Sequence, residues 1–179
     1  VRMPDVLKTQ KEGIEEDEFL EIEKAIEEAL EEINNFRISE GQALEEDLKM
    51  RAEIIKRLLN EIIIMDPDRI SGVKERLIKG ISELKESVDE NRFEQELVYY
   101  IEKFDITEEK VRLENHLNYF LENLNSEESN GKKLGFISQE MGREINTIGS
   151  KSNFAPMQQL VVQMKDELEK IKEQLLNVL

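Results

Sequence analysis

The sequence predicts an all-α protein, an elongated bundle of long antiparallel helices with a short coiled-coil-like helix at its C-terminus. Apolar residues recur every three or four positions in every segment after residue 13, which is the period of one helix face. Only 3 Pro and 8 Gly interrupt 179 residues, of which 37% are charged. This balance favours amphipathic helices over a sandwich or a barrel, and there is no strand pattern or convincing internal repeat. We therefore expect mostly helix and no sheet.

Composition also limits the classes of function. The chain has no Cys, which excludes a disulfide framework and a thiolate zinc site and fits a reducing compartment. The longest apolar run, Ile62–Met65, is far too short to span a bilayer, and nothing resembles a signal peptide. These observations predict a soluble, cytoplasmic protein with no membrane partner.

The negative charge is concentrated in one part of the chain. The formal net charge is −16, and residues 12–47 alone carry 15 acidic side chains against Lys24 and Arg37. Such a run is typical of a solvated helix face. It would repel a phosphate backbone, so any contact with nucleic acid is expected elsewhere.

The first half of the chain predicts long helices. Residues 1–13, with Pro4 and Gly13, have the character of a linker. The first apolar stripe then consists of Phe19, Ile22, Ile26, Leu30, Ile33 and Phe36. After a phase change near Gly41 the stripe resumes with Leu44, Leu48, Ile55, Leu58 and Ile62, as one kinked helix or as two. The sequence "DPD" at 66–68 predicts an end, followed by a helix from about Arg69 to Ser87.

The second half predicts three further elements and a loop. A helix in "DENRFEQELVYYIEKFD" precedes another that Thr107 is predicted to cap, and "NSEESNGKK" is the clearest loop. The segment 131–153 is then a helix, and Met164, Leu168, Ile171, Leu175 and Val178 form the short C-terminal seam. We expect three regions: the linker at 1–13, a long-helix region at 14–130, and C-terminal helices at 131–179 that pack with 88–126.

The segment "GKKLGFISQEMGREINTIGSKSN", residues 131–153, differs from the rest of this acidic chain. It has four basic side chains, Lys132, Lys133, Arg143 and Lys151, against two acidic ones, Glu140 and Glu144. Outside its apolar stripe, two polar rows step along the helix by four and three residues. One row is Gln139, Arg143, Asn146 and Ser150; the other is Glu140, Glu144, Thr147 and Lys151.

These rows allow two interpretations. They fit a solvated surface with an ordinary Glu140–Arg143 pair, or a site in which amides contact bases or orient water. The only histidine, His116, lies on a similar row with Arg112 and Tyr119, and Arg92, Glu96 and Tyr99 form another row. If the three helices pack side by side, the rows can meet in one site. The chain has no phosphate-binding loop, no Rossmann glycine pattern and no other common catalytic motif.

Longer stretches of the chain resemble a known family. The segment 131–153 followed by "VVQMKDELEKIKEQLLNVL" resembles the C-terminal signature of the YicC family of bacterial endoribonucleases. "EGQALEEDL" and "NRFEQELVYYIEKFDITEEKVRLENHLNYF" resemble its middle region, and "MPDVL" resembles the junction after its N-terminal domain. The resemblance implies the helical C-terminal portion of a homohexameric endoribonuclease that closes around single-stranded or structured RNA and uses a divalent metal, Mn²⁺ or Mg²⁺. DNA is not an expected partner.

The resemblance gives the positions of the motif but not the role of each residue, so the roles in RNA cleavage are predicted from side-chain chemistry. The expected catalytic residues are His116, Glu140, Arg143 and Glu144. Glu140, Glu144 and Glu96 are the expected metal ligands. The expected RNA-binding residues are Arg92, Arg112, Lys132, Lys133, Gln139, Asn146 and Lys151. In these roles a carboxylate with the metal helps to deprotonate the nucleophile, arginine stabilises the phosphorane charge, and histidine transfers a proton.

The chain also departs from the family pattern, and other functions stay open. Gly135 stands where the family typically has Asp, Gly142 where it often has Asn, and Phe154 and Pro156 replace an acidic pair. An RNA-binding fragment without activity is one alternative. A structural or scaffolding helical module is the other, because long acidic helices and a C-terminal seam also fit an interaction module.

Overall fold

The described part of the chain consists of five helices. The structure, a computed structural model, describes residues 13, 15–82, 90–126 and 130–178, with side chains at all of these except 81, 82 and 90–93. In chain order the helices are α1 (Glu16–Ser82), α2 (Glu90–Phe104), α3 (Thr107–Leu124), α4 (Gly131–Ser152) and α5 (Ala155–Leu175). No strand occurs in these ranges, so the all-α prediction is confirmed.

Helix α1 continues through both of the positions at which the sequence predicted an interruption. A single helix passes through both, so the predicted end at 66–68 is wrong, and of the two alternatives left open near Gly41 the chain forms one helix rather than two. A glycine inside a helix costs only about 1 kcal/mol, which a long helix tolerates. Pro67 is a larger disturbance, since it removes one donor from the backbone ladder at a cost of about 3 kcal/mol. The predicted end of the following helix, at Ser87, lies outside the described residues.

A buried charged cluster surrounds the turn that contains Pro67. The carboxylate of Asp66 accepts hydrogen bonds from Lys110 Nζ at 2.6 Å and from Arg69 Nε at 2.8 Å. Arg69 Nη2 donates to the carbonyl oxygen of Phe104, the last residue of α2, at 2.7 Å. Charge-assisted hydrogen bonds are stronger than neutral ones, so these contacts to α2 and α3 support the helical conformation of this turn.

The chain divides into two compact units, Val1–Ala43 and Leu44–Leu179. In the first unit every described residue is exposed, including the whole predicted apolar stripe from Phe19 to Phe36. This stripe therefore has no partner among the described residues of the chain. No helix in the described ranges is long and apolar enough to cross a membrane.

The second unit has one hydrophobic core, built from the later part of α1 and from α3, α4 and α5. The predicted stripes are buried there: Leu48, Ile55, Leu58 and Ile62 in α1, Leu113, Leu117 and Phe120 in α3, and Leu134, Ile137, Met141, Ile145 and Ile148 in α4. In α5, Leu168, Ile171 and Leu175 are buried, which confirms that the C-terminal seam packs against other helices. Isolated helices of this length are marginal in water, and burial of the apolar face stabilises them.

Glycines allow α5 to lie close to one face of α4. A Cβ atom at Gly142 would stand 3.2 Å from Leu168 Cδ2, and one at Gly149 would stand 3.0 Å from Val161 Cγ1. The connection to α5 is short: Asn153 ends α4 in the left-handed conformation, with φ 33°, and Pro156 lies in the first turn of α5. One face of α4 is thus occupied by α5, and its polar rows are directed elsewhere.

The residue before α3 is Ile106, and the side chain that bonds the start of the helix is that of Asp105 rather than that of the predicted cap, Thr107. Thr107 is already the first helical residue, and the Asp105 carboxylate accepts from its backbone N–H at 3.0 Å and from its hydroxyl at 2.7 Å. These hydrogen bonds, the hydroxyl bond first, lower the pKa of Asp105 below its ordinary value. Asp105 and Thr107 are both residue types that commonly bond the start of a helix. Here Asp105 is the acceptor, and Thr107 is the donor.

Candidate nucleic-acid interface

Helices α3 and α4 form an antiparallel pair, and three side-chain contacts between them fix its register. Lys133 Nζ lies 4.9 Å from the centroid of the Tyr119 ring. Further along, Arg112 Nη1 lies 4.0 Å from Glu144 Oε1, and Lys151 Nζ is bonded to Glu109 Oε1 at 2.7 Å. We call the surface along these contacts the α3–α4 seam. It runs from Tyr119 and Lys133 at one end to Glu109 and Lys151 at the other.

Glu144 is the most enclosed of the predicted catalytic residues. Its side chain is only 10% exposed, and its nearest charged partner is Arg112. Arg112 is also bonded to Glu108 on its own helix, so one guanidinium serves two carboxylates. Burying a carboxylate is costly unless a positive group or a hydrogen-bond donor compensates it. The fold therefore maintains a shielded carboxylate beside an arginine that is itself more than half exposed.

Glu140 and Arg143 form the surface pair that the simpler interpretation of the sequence predicted. Arg143 Nη1 donates to Glu140 Oε1 at 2.6 Å, and the arginine side chain is 72% exposed. Exposed pairs of this kind contribute little to stability. Because the guanidinium carries five donors and extends into solvent, it keeps donors that can bind a phosphate oxygen.

The remaining polar residues of α4 are of two kinds: exposed amides, and hydroxyls that bond the backbone of their own helix. Gln139 and Asn146 are exposed. Thr147 donates its hydroxyl hydrogen to the Arg143 carbonyl, and Ser150 donates to the Thr147 carbonyl, so both hydroxyls bond their own helix. The amides are thus more available to a ligand than the hydroxyls.

His116 is half-buried on α3, between Arg112 and Tyr119. The register of the helix pair places it at the level of the α4 residues between Lys133 and Glu144, the interval that contains Gln139 and Glu140. His116, Arg112 and Glu144 therefore belong to the same seam. This agrees with the expectation that the polar rows of α3 and α4 pack side by side.

The predicted lysines have unequal surroundings. Lys132 is exposed, whereas Lys151 is paired with Glu109, a carboxylate that is only 7% exposed. The other oxygen of Glu109 is buried without a hydrogen-bond partner. Glu109 is not among the residues predicted from the sequence. The spacing could have identified it: Glu109 lies four residues before Leu113, so it occupies a position in the buried apolar stripe of α3.

Two predicted residues are not placed in the seam. Glu96 is exposed on α2, and the side chain of Arg92 lies outside the described residues. Within the described ranges no group of three or more Asp, Glu, His or Cys side chains is placed to hold a metal ion. Glu96, Glu140 and Glu144 therefore do not form a three-ligand site within the one chain.

Comparison with known proteins identifies relatives along almost the whole sequence. Residues 62–179 match the family described as "Endoribonuclease YicC-like, C-terminal". A Clostridioides difficile protein named "Probable endoribonuclease YicC" is 39% identical over 183 residues, which cover 99% of this chain and 62% of that protein. A Haemophilus influenzae protein of the same name is 30% identical over 139 residues, covering 78% of this chain and 48% of that protein.

The chain thus spans between about half and three-fifths of the length of these curated relatives. The match of the family description covers α3, α4 and α5 completely, including every residue of the α3–α4 seam. The alignment with the Clostridioides difficile protein also covers the acidic part of α1. On this evidence the chain belongs to the YicC-like family and contains its C-terminal domain.

Proposed function

We propose that this chain is the RNA-binding and RNA-cleaving helical part of an endoribonuclease, and that the α3–α4 seam is its site. The observation that carries the proposal is the buried carboxylate of Glu144 beside Arg112, on a helix whose exposed face is basic in an otherwise acidic chain. The names of the two relatives support an RNA substrate. DNA is not proposed as a substrate.

The residues of the seam suit the three requirements of phosphodiester cleavage. Glu144 or Glu140 accepts a proton from the attacking hydroxyl or water, the role of a general base, which a positioned carboxylate can perform. Arg143 and Arg112 bind the phosphate and stabilise the charge that develops on it. His116 supplies the second proton to the leaving oxygen, since an imidazolium N–H can act as a general acid.

We also propose that cleavage depends on Mn²⁺ or Mg²⁺, as the family resemblance implies. The described residues of the one chain do not form a three-ligand set, so none of the roles above is assigned through a metal. Cleavage measured after treatment with EDTA, and again after addition of either ion, tests this dependence. Activity that survives EDTA treatment unchanged contradicts it.

We further propose that the protein is cytoplasmic and forms a homo-oligomer, which is a hexamer in the full-length protein. The first half of α1 supports it, because Phe19, Ile26 and Phe36 are each more than half exposed. A row of large exposed apolar side chains along one helix is typical of a surface that contacts a partner. The same stripe favours the second candidate function, a scaffolding module, which would use α1 and leave the α3–α4 seam without a ligand.

The test separates cleavage from binding. Glu144→Gln nearly conserves the shape of the side chain but removes its charge. We expect cleavage of a labelled RNA to slow by about 10²-fold or more, while RNA binding is kept or improved. Glu173→Gln, at an exposed position of α5, is the matched control and should cleave normally. If the unmodified chain binds no RNA, or if Glu144→Gln cleaves at the normal rate, the scaffold function is favoured.

A further inference from the structure

Phe136 is the one large apolar side chain among the exposed residues of the polar face of α4. It is 69% exposed, although the helix otherwise buries its apolar residues. It lies four residues after Lys132, three before Gln139 and seven before Arg143, so it belongs to the same row as these exposed side chains. Core packing does not explain an aromatic ring at this position.

The surroundings leave the Phe136 ring accessible. The preceding residue is Gly135, and a Cβ atom added there would meet nothing within 4 Å. Across the seam, the Tyr119 ring is covered on one side by the Lys133 ammonium, at 4.9 Å from its centroid. An open aromatic ring thus lies among cationic side chains, which is the usual composition of a surface that binds single-stranded nucleic acid.

We propose that Phe136 stacks on an unpaired base of the bound RNA, while Lys132 and Arg143 contact the phosphates on either side. This inference depends on the proposed function. Lys132 and Arg143 are eleven residues apart, which is about 16 Å along the axis of α4, and Phe136 lies between them. Bases inside a duplex already stack on each other and do not offer their faces to a side chain. The site therefore selects single-stranded segments.

The rival explanation is that Phe136 contacts another protein subunit. The charges argue for RNA: Lys132 and Arg143 are exposed on the same row, and no ion pair joins Lys132 to a carboxylate among the described residues. A protein interface of standard type would be depleted of lysine at its centre. Measurement of the oligomeric state distinguishes the two explanations.

The experiment compares four variants of the purified chain by fluorescence anisotropy with a labelled single-stranded RNA. Phe136→Ala and Phe136→Leu remove the ring, and Phe136→Trp retains one. Because stacking of one base is worth a factor of about 5 to 150 in affinity, we expect the first two variants to bind more weakly by that factor. The Trp variant should bind like the unmodified chain. Val162→Ala, at a similarly exposed apolar position on α5, is the control and should bind normally.

Further readouts separate the possible failures. The salt dependence of binding should be the same in all variants, since no charge is removed. Affinity for a fully paired RNA should change little. If the chain binds RNA and Phe136→Ala binds equally well, the stacking inference is wrong and the proposed function stands. If the chain binds no RNA, the proposed function fails, and the inference fails with it. If Phe136→Ala changes the mass measured by light scattering, the ring is a subunit contact and the inference is wrong.

Discussion

At the scale of single residues, Glu109 and Lys151 show how a predicted RNA contact can have another task. Glu109 is almost fully buried, and the only ion pair it makes in the described residues is to Lys151. Sequence periodicity assigned Lys151 to the polar row that binds phosphate. That role stays a prediction, but the structure adds a second one, because the ammonium compensates a carboxylate that the fold has removed from water.

This pairing leads to a prediction about stability. Lys151→Gln should lower the free energy of unfolding by about 1–3 kcal/mol, because it leaves a buried carboxylate without its charged partner. Urea denaturation followed by circular dichroism measures this. The double variant Glu109→Gln with Lys151→Gln should recover most of the loss. Lys132→Gln is the matched control and should unfold like the original chain. Equal stability of the two single lysine variants would contradict the prediction.

At the scale of elements, the start of α3 depends on Asp105. Its pKa is lowered from 3.8 by the hydrogen bond from the Thr107 hydroxyl and by the backbone bond of the same residue. A carboxyl group whose pKa is lower in the folded state stabilises the fold at pH values above its unfolded pKa. This contribution is lost as the pH falls through the folded pKa.

The contact between Asp105 and Thr107 therefore has a defined pH dependence. At pH 7, Asp105→Asn should reduce the free energy of unfolding by about 0.5–1 kcal/mol, a typical cost of a weakened helix cap. The difference between variant and original should shrink once the pH falls below about 4, where aspartate in the unfolded chain becomes protonated, and should be lost below the lower pKa of the folded state. Denaturation curves at pH 7, 5 and 3 measure this. Asp68→Asn, exposed on α1, should show no such difference. A difference that is independent of pH would argue against the assigned cause.

Helix α1 also marks the limit of what the sequence predicts about elements. The buried stripes of α3, α4 and α5 followed from local periodicity, which is a property of each helix by itself. The continuity through Pro67 did not, because it rests on hydrogen bonds from Arg69 to the end of α2 and from Lys110 to Asp66. Those partners lie 35 and 44 residues away in the chain. The burial of Glu144 and Glu109 likewise depends on how α3 and α4 pair, which composition and spacing do not specify.

At the scale of the whole molecule, the charge of the chain is divided between elements. The net charge is −16, yet α4 exposes Lys132 and Arg143 on the row proposed to bind RNA, and exposes Lys133 next to that row. The sequence alone indicated this contrast. The structure adds that Lys132 and Arg143 extend from the same row of one helix, and that Lys133 contacts the neighbouring helix through Tyr119.

The contrast predicts the salt dependence of RNA binding. Above about 0.1 M salt, replacing Lys132 and Lys133 together by Gln should weaken binding and lower the slope of log K against log salt by up to about 1.4. Each lost contact to a single strand removes about 0.7. Affinities measured at four salt concentrations provide the slope. Lys49→Gln with Lys74→Gln, two exposed residues of α1, changes the net charge equally and is the matched control. If both pairs change the slope by the same amount, net charge rather than the α4 row governs binding.

The same division of charge has a consequence for how fast RNA finds the protein. At 0.01 M salt the Debye length is about 30 Å, so an approaching strand senses the whole negative chain and is repelled. At 0.15 M it is about 8 Å, and a strand near α4 senses chiefly the lysines and arginine of that surface. Electrostatic steering by most nucleic-acid-binding proteins only weakens as salt is added. For this chain we expect moderate salt first to remove a long-range barrier, so that the association rate passes through a maximum as salt is added.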